Sequence, residues 1–357
     1  MYKQIKLLDH HIIAGEDSLS VFQTLFDSGD YKNRSFFILV DQNTEKYCLN
    51  KLKQHIPPDQ KPKVISIPAG EKHKTIEYTE KIWQFLTTHY ADRGSVLINL
   101  GGGVTTDIGG FAASTFKRGI SFINIPTSLT GMVDAAIGGK TGVNFNGIKN
   151  MVGLFRQPDS IYIYPGFLET LPANETKSGY AEILKYALIN DKNLWDVMKN
   201  KQIRDFKSLE DLIIFSILIK SEIVEQDPEE MGLRKTLNFG HTFGHAFETF
   251  WNNMGNPTSH GAAIAAGIIC ESYLSAKINH LKDEDLKEIQ ATIHKNYSWP
   301  TISKNNIPEL IQIMHHDKKN QHTKVNCSLL DMPGQCKYDQ LIPYELLVEA
   351  LNHFINE

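Results

Sequence analysis

The sequence predicts a parallel α/β domain at residues 1–165, followed by an all-α domain at residues 166–357. Three observations support this prediction. The chain has 357 residues, which is too long for one average hydrophobic core, so two domains are expected. Short apolar, β-rich runs alternate with helical segments up to about residue 160, as is typical of a parallel sheet covered on both faces. Beyond that point the apolar spacing is mainly helical.

The first domain is predicted from four buried strands and the helix between two of them. The strands are 35–40, 64–67, 95–100 and 121–125. Each is mainly apolar and is followed by Gly, Pro, Asp or Asn, the residues that end strands. Residues 76–90 have helical spacing, with Ile82, Phe85 and Leu86 on one side.

The second domain is predicted from six helical segments. These are 175–192, 206–226, 238–252, 261–279, 283–296 and 343–355. The one strand signal here is at 327–330, and the polar segments 54–63 and 315–326 are predicted to be loops.

Charge and cysteine usage exclude several classes of protein. The net charge of −4 gives no general attraction to nucleic acid or to an anionic membrane. The four cysteines show no CxxC spacing, which favours reduced thiols over a disulfide framework or a thiolate zinc site. Residues 1–10 have no signal-peptide core, and the longest apolar run, 262–270, is too short to span a bilayer. We therefore expect a cytoplasmic protein.

A glycine-rich turn at residues 100–107, LGGGVTTD, follows a predicted strand and opens a helix. Glycines there let backbone amides approach a pyrophosphate, and the helix N-terminus favours the negative charge. The stretch is not a GxGxxG fingerprint, so an ordinary tight turn is the alternative. Asp41 and Asn43 at the end of another strand, and Gly70–Lys74 after a third, favour a nucleotide site.

Two further stretches carry charged residues suited to binding anions or metals. Residues 134–150 place Lys140, Lys149 and Asn150 among glycines, an arrangement suited to phosphate, although a solvated loop would have the same composition. Glu182 and Lys185 share a helix face. Spacing alone leaves open whether they form a surface ion pair or act as a metal ligand and an anion contact.

Three histidines lie close together in the sequence. His241 and His245 are four residues apart on a predicted helix and therefore face the same way, and His260 follows soon after. By spacing, His241 and His245 are candidates for joint ligands of a zinc ion. Which two histidines bind metal, and which one moves protons, stays open at this point.

Three longer motifs together closely resemble the 3-dehydroquinate synthases, which are sugar phosphate cyclases of the shikimate pathway. The motifs are GGKTGVN with GKN (138–150), SGYAEILK (178–185) and GLRKTLNFGHTFGHAFE (232–248). The resemblance implies a Rossmann-like NAD-binding domain, a helical domain and a Zn²⁺ site, with Co²⁺ as a substitute. It implies Glu182, His241 and His260 as metal ligands, and His245 as a proton-transfer group.

The resemblance also implies NAD contacts and substrate contacts. The residues on NAD-contacting positions are Asp41, Asn43, Glu71, Lys74, Gly102, Gly103, Val104, Thr105, Asp107, Thr127, Ser128, Lys140, Lys149, Phe167 and Thr170. Those on substrate positions are Asp134, Lys140, Asn150, Lys185, Lys220, Arg234, Asn238 and Lys318. Arg118 matches a residue that, in this family, extends to the neighbouring subunit, which implies a homodimer. The sequence departs from the family pattern at Thr106, Pro228, Ala262, Thr323 and Asn326.

The implied reaction converts 3-deoxy-D-arabino-heptulosonate 7-phosphate to 3-dehydroquinate and phosphate. It proceeds by transient oxidation with NAD, phosphate elimination, re-reduction and aldol closure. The alternatives are a related sugar phosphate cyclase, a metal-dependent polyol dehydrogenase, and a non-catalytic protein that binds NAD or metal. The 3-dehydroquinate synthase reaction is favoured by four residues that suit a substrate with a carboxylate: Arg234, Asn238, His245 and Lys318.

Overall fold

The computed structural model describes residues 1–206, 208–315 and 325–357. Within them the chain divides into two compact units, Met1–Pro172 with Leu209–Ser221, and Ala173–Ser208 with Glu222–Glu357. The first unit is α/β and the second is mainly helical, which confirms the predicted fold class. The predicted boundary at residue 165 stays a prediction about independently folding domains.

The first unit is built around strands with short helices between them. The strands are β1 (Tyr2–Leu7), β2 (His10–Gly15), β3 (Phe36–Asp41), β4 (Lys63–Ile67), β5 (Val96–Gly101), β6 (Ser121–Pro126), β7 (Lys140–Phe145), β8 (Ile148–Phe155) and β9 (Ser160–Ile163). The helices are α1 (Ser18–Thr24), α2 (Gln42–Tyr47), α3 (Leu49–Lys53), α4 (Ile76–Thr88) and α5 (Gly103–Thr115). All four predicted strands and the helix are present. Sequence patterns missed β1, β2, β7, β8 and β9. In β1 and β8 most residues are exposed and mixed in polarity.

The strand order in the main sheet is β1-β2-β9-β6-β5-β3-β4. All neighbours are parallel except β1 and β2, so most strands end at the same edge. Val40 is opposite Leu100, and Leu100 is opposite Ile125. This register brings the residues that follow β3, β5 and β6 together at the carboxyl edge, where ligands bind in open α/β sheets. The β7–β8 pair forms a separate antiparallel ribbon.

One face of this sheet is covered by α4 and α5. Phe37 and Leu39 alternate along β3 and pack with Ile82 of α4 and Ile108 of α5. All four side chains are buried, so the alternation of β3 and the spacing of the helices determine the packing together. This core holds the strand ends in position.

In its described residues, the second unit is helical apart from one antiparallel strand pair. Its elements are α6 (Ala173–Asn190), α7 (Lys192–Met198), α8 (Glu210–Gln226, shared with the first unit), α9 (His241–Asn253), α10 (His260–Ile278), α11 (Asp283–Asn296), α12 (Ile307–His315), β10 (Val325–Met332), β11 (Gln335–Ile342) and α13 (Tyr344–Asn356). The six predicted helices are present, and the strand signal at 327–330 belongs to β10. The pairing of β10 with β11 makes this unit mainly rather than entirely helical.

The centre of the second unit is the contact between α9 and α10. A Cβ on Gly267 of α10 would lie 1.9 Å from the carbonyl oxygen of Gly240, so only glycine permits this approach. Phe243 and Phe247 of α9 are fully buried in the same core. Helix α10 is also the one described helix that is long and apolar enough to cross a membrane, but 72% of its most apolar window is buried within the fold. A helix in the core of a globular protein has the same length and apolar composition, so this finding is weak evidence for a membrane span.

Candidate functional site

Helix α9 begins at His241 and directs three polar side chains to one face. Gly240, in the left-handed conformation with φ of +80°, turns the chain into the helix. Positions four and three residues apart share a face, so His241, His245 and Glu248 are aligned along α9. The local sequence therefore orders these groups before any tertiary contact is considered.

Buried Glu271 of α10 caps this helix start. Its Oε2 accepts a hydrogen bond from Gly240 N at 2.7 Å, and its Oε1 accepts from Thr242 N at 3.1 Å and Phe243 N at 3.4 Å. These amides have no partner inside their own helix, and a carboxylate also interacts favourably with the positive end of the helix dipole. Glu271 therefore fixes the turn that carries His241.

The three histidines converge with Glu182 of α6. Glu182 Oε1 lies 3.7 Å from His241 Nε2 and 3.5 Å from His260 Nε2. One ligand atom from each of His241, His245 and His260 lies within 4.8 Å of the others. The structure thus brings together the pair suggested by spacing and the set implied by the family resemblance. A carboxylate with two or three imidazoles is a donor set suited to a divalent transition metal.

The second oxygen of Glu182 forms an ion pair with Lys185, one turn further along α6. Both side chains are almost completely buried, at 0% and 1% exposure. The contact is therefore a buried pair rather than the surface pair that spacing allowed. Because an isolated buried charge is costly, pairing the two side chains offsets part of the cost of burying each of them.

Two histidine rings are oriented by different acceptors. His241 Nδ1 lies 3.2 Å from the carbonyl oxygen of Phe239, and His260 Nδ1 lies 3.3 Å from Glu248 Oε2. Burial alone would lower the pKa of His260, but hydrogen bonds and charges from Glu182 and Glu248 outweigh it and raise the pKa to about 10. The two carboxylates thus favour positive charge at this ring, whether a proton or a metal cation supplies it.

Arg234 and Asn238 lie in the 3-10 helix (Leu233–Asn238) that precedes α9. Buried Arg234 donates from Nη1 to the carbonyl oxygen of Pro228 at 2.5 Å, and its backbone N–H bonds Asp227 Oδ2 at 3.0 Å. Asn238 Nδ2 donates to Glu230 Oε1 at 2.8 Å. The departure at Pro228 therefore leaves a backbone carbonyl to hold the guanidinium. Lys318 and Thr323 lie outside the described residues.

In the first unit, the glycine-rich turn lies at the carboxyl edge of the sheet. Gly102 is the N-cap of α5, and a Cβ there would lie 3.0 Å from Ser128 Oγ. The N–H of Thr127, which follows β6, donates to the carbonyl oxygen of Gly101 at 3.0 Å. Val104 and buried Thr105 form the first turn of the helix.

The ends of the neighbouring strands lie beside this turn. Asp41 ends β3 and caps α2 by accepting from Asn43 N at 2.8 Å. Thr105 Oγ1 donates to Asp41 Oδ2 at 3.4 Å. Thr106, a departure from the family pattern, donates back to the carbonyl oxygen of Gly103 at 3.1 Å. Its hydroxyl is thus bonded within the helix.

Lys74 connects two of the predicted segments of the first unit. Its Nζ donates to Asp107 Oδ2 at 2.5 Å and to Asn150 Oδ1 at 2.6 Å. Burial would lower the pKa of Lys74, but the charges of Asp107 and Glu71 raise it. Glu71 in turn accepts from Asn144 Nδ2 at 2.8 Å. The result is a charged network that includes the ends of β7 and β8.

Asp134 and Lys220, both predicted substrate residues, are paired in the first unit. Lys220 Nζ donates to Asp134 Oδ1 at 2.5 Å and to its carbonyl oxygen at 2.6 Å. Lys140 and Lys149 are exposed on β7 and β8, Arg118 is exposed in a turn with φ of +68°, and Phe167 and Thr170 lie in the short helix after β9.

Sequence reasoning missed Glu248 and Glu271. The signal for Glu248 was present, because it lies on the same α9 face as the two histidines. Glu271 had no comparable signal, because its role depends on α10 packing against the start of α9.

Comparisons with known proteins agree with these features. A family model described as 3-dehydroquinate synthase N-terminal matches residues 64–178, and one described as 3-dehydroquinate synthase C-terminal matches residues 179–320. The 3-dehydroquinate synthase of Parabacteroides distasonis is 40% identical over 97% of this chain and 98% of that protein. That of a Sulfurovum species is 37% identical over 90% of this chain and 91% of that protein.

Solved structures show the same fold. A 2-deoxy-scyllo-inosose synthase complexed with carbaglucose-6-phosphate, NAD⁺ and Co²⁺ gives a TM-score of 0.87 at 21% identity, covering 99% of this chain and 100% of that one. ValA, a 2-epi-5-epi-valiolone synthase from Streptomyces hygroscopicus with NAD⁺ and Zn²⁺ bound, gives 0.80 at 24% identity, covering 99% of each chain. Because the family models match most of the sequence and close relatives align over nearly its full length, the chain belongs to the 3-dehydroquinate synthase family.

Proposed function

We propose that this protein is a 3-dehydroquinate synthase, a lyase of aromatic amino acid biosynthesis. It converts 3-deoxy-D-arabino-heptulosonate 7-phosphate to 3-dehydroquinate and inorganic phosphate. The observation that carries the proposal is the convergence of Glu182, His241, His245 and His260 in a chain of this family. That cluster supplies both metal ligands and a proton-transfer group.

Glu182, His241 and His260 are the proposed ligands of a divalent metal, Zn²⁺ with Co²⁺ as a substitute. Glu182 Oε1 faces the Nε2 atoms of both rings at 3.7 and 3.5 Å, separations suited to donor atoms that share one metal ion. His245 is then left to move protons at the substrate. Its ring lies 5.3 Å from that of His241 and 5.8 Å from that of His260, between centroids.

NAD is the proposed cofactor of the first unit. Gly102, Gly103 and the α5 N-terminus suit the pyrophosphate, and Asp41 suits ribose hydroxyls. When bound, NAD⁺ would supply a temporary hydride acceptor and the metal a Lewis acid for a substrate hydroxyl, the chemistry that phosphate elimination and ring closure need. Lys74, which donates hydrogen bonds to Asp107 and Asn150, contributes a positive charge beside this edge of the sheet.

The charged residues around these sites are proposed to bind the two ends of the substrate. Lys140, Asn150 and Lys185 would hold the phosphate. Arg234, with Lys220 or Lys318, would pair with the carboxylate through its planar fork. Asp134 holds Lys220, and Pro228 and Asp227 hold the Arg234 segment, so these cations are anchored before substrate arrives.

A homodimer and a cytoplasmic location are part of the proposal. The β7–β8 ribbon exposes Phe145, Ile148, Met151 and Phe155, an apolar surface that a second copy would cover. Exposed Arg118 could then reach the partner. Light scattering of the purified protein should give twice the monomer mass. Among the described residues no disulfide joins Cys48, Cys270, Cys327 or Cys336, which suits a reducing compartment.

The activity is tested by incubating the protein with the heptulosonate phosphate, NAD⁺ and Zn²⁺. Phosphate and 3-dehydroquinate should form without net NADH. Net NADH would indicate a polyol dehydrogenase. Turnover of glucose 6-phosphate or sedoheptulose 7-phosphate, but not of the heptulosonate, would indicate a sister cyclase. No reaction with any substrate would indicate a non-catalytic binding protein.

A further inference from the structure

The His260 ring stands between two carboxylates that approach opposite nitrogens. Nε2 lies 3.5 Å from Glu182 Oε1, and Nδ1 lies 3.3 Å from Glu248 Oε2. Glu248 is 7% exposed as a residue and faces the ring from α9, whereas His260 is the first residue of α10. A side chain of one helix thus determines the orientation of a ring on another.

We infer that Glu248 is a positioning residue for the metal site, which accepts the Nδ1–H of His260 and so presents the Nε2 lone pair to the cation. The inference rests on the proposed function, because it takes His260 as a ligand. In neutral imidazole one nitrogen donates while the other accepts, so an acceptor at Nδ1 selects the tautomer whose Nε2 can bind a metal. A carboxylate acceptor also increases the basicity of the ring.

The Nδ1 atoms of His241 and His260 have hydrogen-bond acceptors of different strength. The partner of His241 Nδ1 is a neutral backbone carbonyl, that of Phe239, at 3.2 Å. The partner of His260 Nδ1 is an ionisable carboxylate. Removal of Glu248 should therefore weaken one ligand while leaving His241 oriented, and metal affinity should fall without loss of the whole site.

Ala262 agrees with this assignment. It lies in the first turn of α10, two residues after His260, and its methyl side chain cannot accept a hydrogen bond from an imidazole. Its carbonyl oxygen accepts from Trp299 Nε1 at 2.5 Å, which ties the turn to the core. Among the hydrogen bonds of the described residues, Glu248 supplies the carboxylate at Nδ1 of His260.

The test measures Zn²⁺ affinity by competition with a chromogenic chelator for the parent, Glu248→Ala and Glu248→Gln. Glu248→Ala should weaken Zn²⁺ binding by about 10- to 100-fold. Glu248→Gln should lose less, because its amide oxygen still accepts the N–H. Asp331→Asn is the matched control: it changes another carboxylate that bonds a histidine, His280, at 2.8 Å in the same unit, and should leave Zn²⁺ affinity unchanged.

A second measurement keeps the inference testable if Glu248→Ala does not fold. In the Zn²⁺-loaded parent labelled with ¹⁵N-histidine, His260 should show a metal-bound Nε2 and a protonated Nδ1. Zn²⁺ at Nδ1, or a folded Glu248→Ala with affinity within about twofold of the parent, would overturn the inference. Failure of the proposed function gives a different result, in which the parent releases no phosphate but the affinity difference persists.

Discussion

Glu182 and His241 lie far apart in the sequence, yet Oε1 of one is 3.7 Å from Nε2 of the other. The contact joins α6 to the first turn of α9. It depends on two local devices, the Lys185 pair that holds the carboxylate and the Glu271 cap that starts the histidine helix. The cap and the histidines that it positions lead to expected outcomes that can be measured.

Substitution of His241 by alanine should remove metal and activity together. Loss of a direct ligand should lower Zn²⁺ affinity by more than about 100-fold, the upper end of what loss of a ligand's supporting hydrogen bond costs. Atomic absorption after dialysis and the phosphate-release assay measure the two effects. Full zinc occupancy and normal turnover in His241→Ala would reject the ligand assignment.

Substitution of His245 by alanine should separate metal binding from catalysis. We expect Zn²⁺ and NAD⁺ binding to persist while the rate falls by about 100- to 10,000-fold, as for loss of a general acid or base. Calorimetry gives the affinities and steady-state kinetics the rate. If Zn²⁺ is lost instead, the pairing of His241 with His245 suggested by their spacing becomes the correct ligand set.

Substitution of Gly102 by valine should weaken NAD⁺ binding. A Cβ at this position would already lie 3.0 Å from Ser128 Oγ, and the larger side chain would occupy the space beside the α5 N-terminus. We expect at least about a tenfold rise in the dissociation constant, equivalent to about 1.4 kcal/mol. Gly29→Val, at a turn where a Cβ would meet nothing within 4 Å, is the matched control. Equal NAD⁺ affinity in both variants would contradict the proposed pyrophosphate turn.

Substitution of Glu271 by alanine should destabilise the second unit. Three backbone N–H groups lose a buried charged acceptor, so the free energy of unfolding should fall by about 3 kcal/mol. Urea unfolding followed by tryptophan fluorescence is a suitable measurement, since Trp195, Trp251 and Trp299 all lie in this unit. Exposed Glu222→Ala should change the midpoint little, and an equally small change in Glu271→Ala would disprove the capping role.

Buried His10 should make the first unit less stable in mild acid. Burial, aided by the charge of His11, lowers its pKa to about 4, and neither ring nitrogen has a hydrogen-bond partner among the residues that the structure describes. Since the unfolded value is about 6.5, the unfolded chain binds more protons between these values, and stability rises with pH across that window by up to about 3 kcal/mol.

His10→Leu should remove this contribution. Unfolding free energies of parent and variant at several pH values from 4 to 7 give the comparison. Their difference should change with pH if the His10 ring is neutral in the fold. Curves that stay parallel would show that its pKa is not shifted.

Local sequence patterns were sufficient to predict much of the fold. The apolar runs of β3 and β5, with the helical spacing of α4, predict a parallel sheet, and parallel strands place Asp41 and Gly102 at one edge. The exposed strands β1 and β8 escaped prediction, because their polar faces do not produce a buried-strand pattern.

The site, like the fold, was predictable from the sequence only in part. The sequence alone determined which residue types were available, that His241 and His245 share a helix face, and which family the motifs resemble. Only the tertiary structure decided that Glu182 faces His260, that Glu248 bonds its other nitrogen, and that Glu271 caps α9. Helical periodicity specifies the face on which a side chain lies. The packing of α6, α9 and α10 specifies which faces meet, and that depends on contacts between segments far apart in the chain.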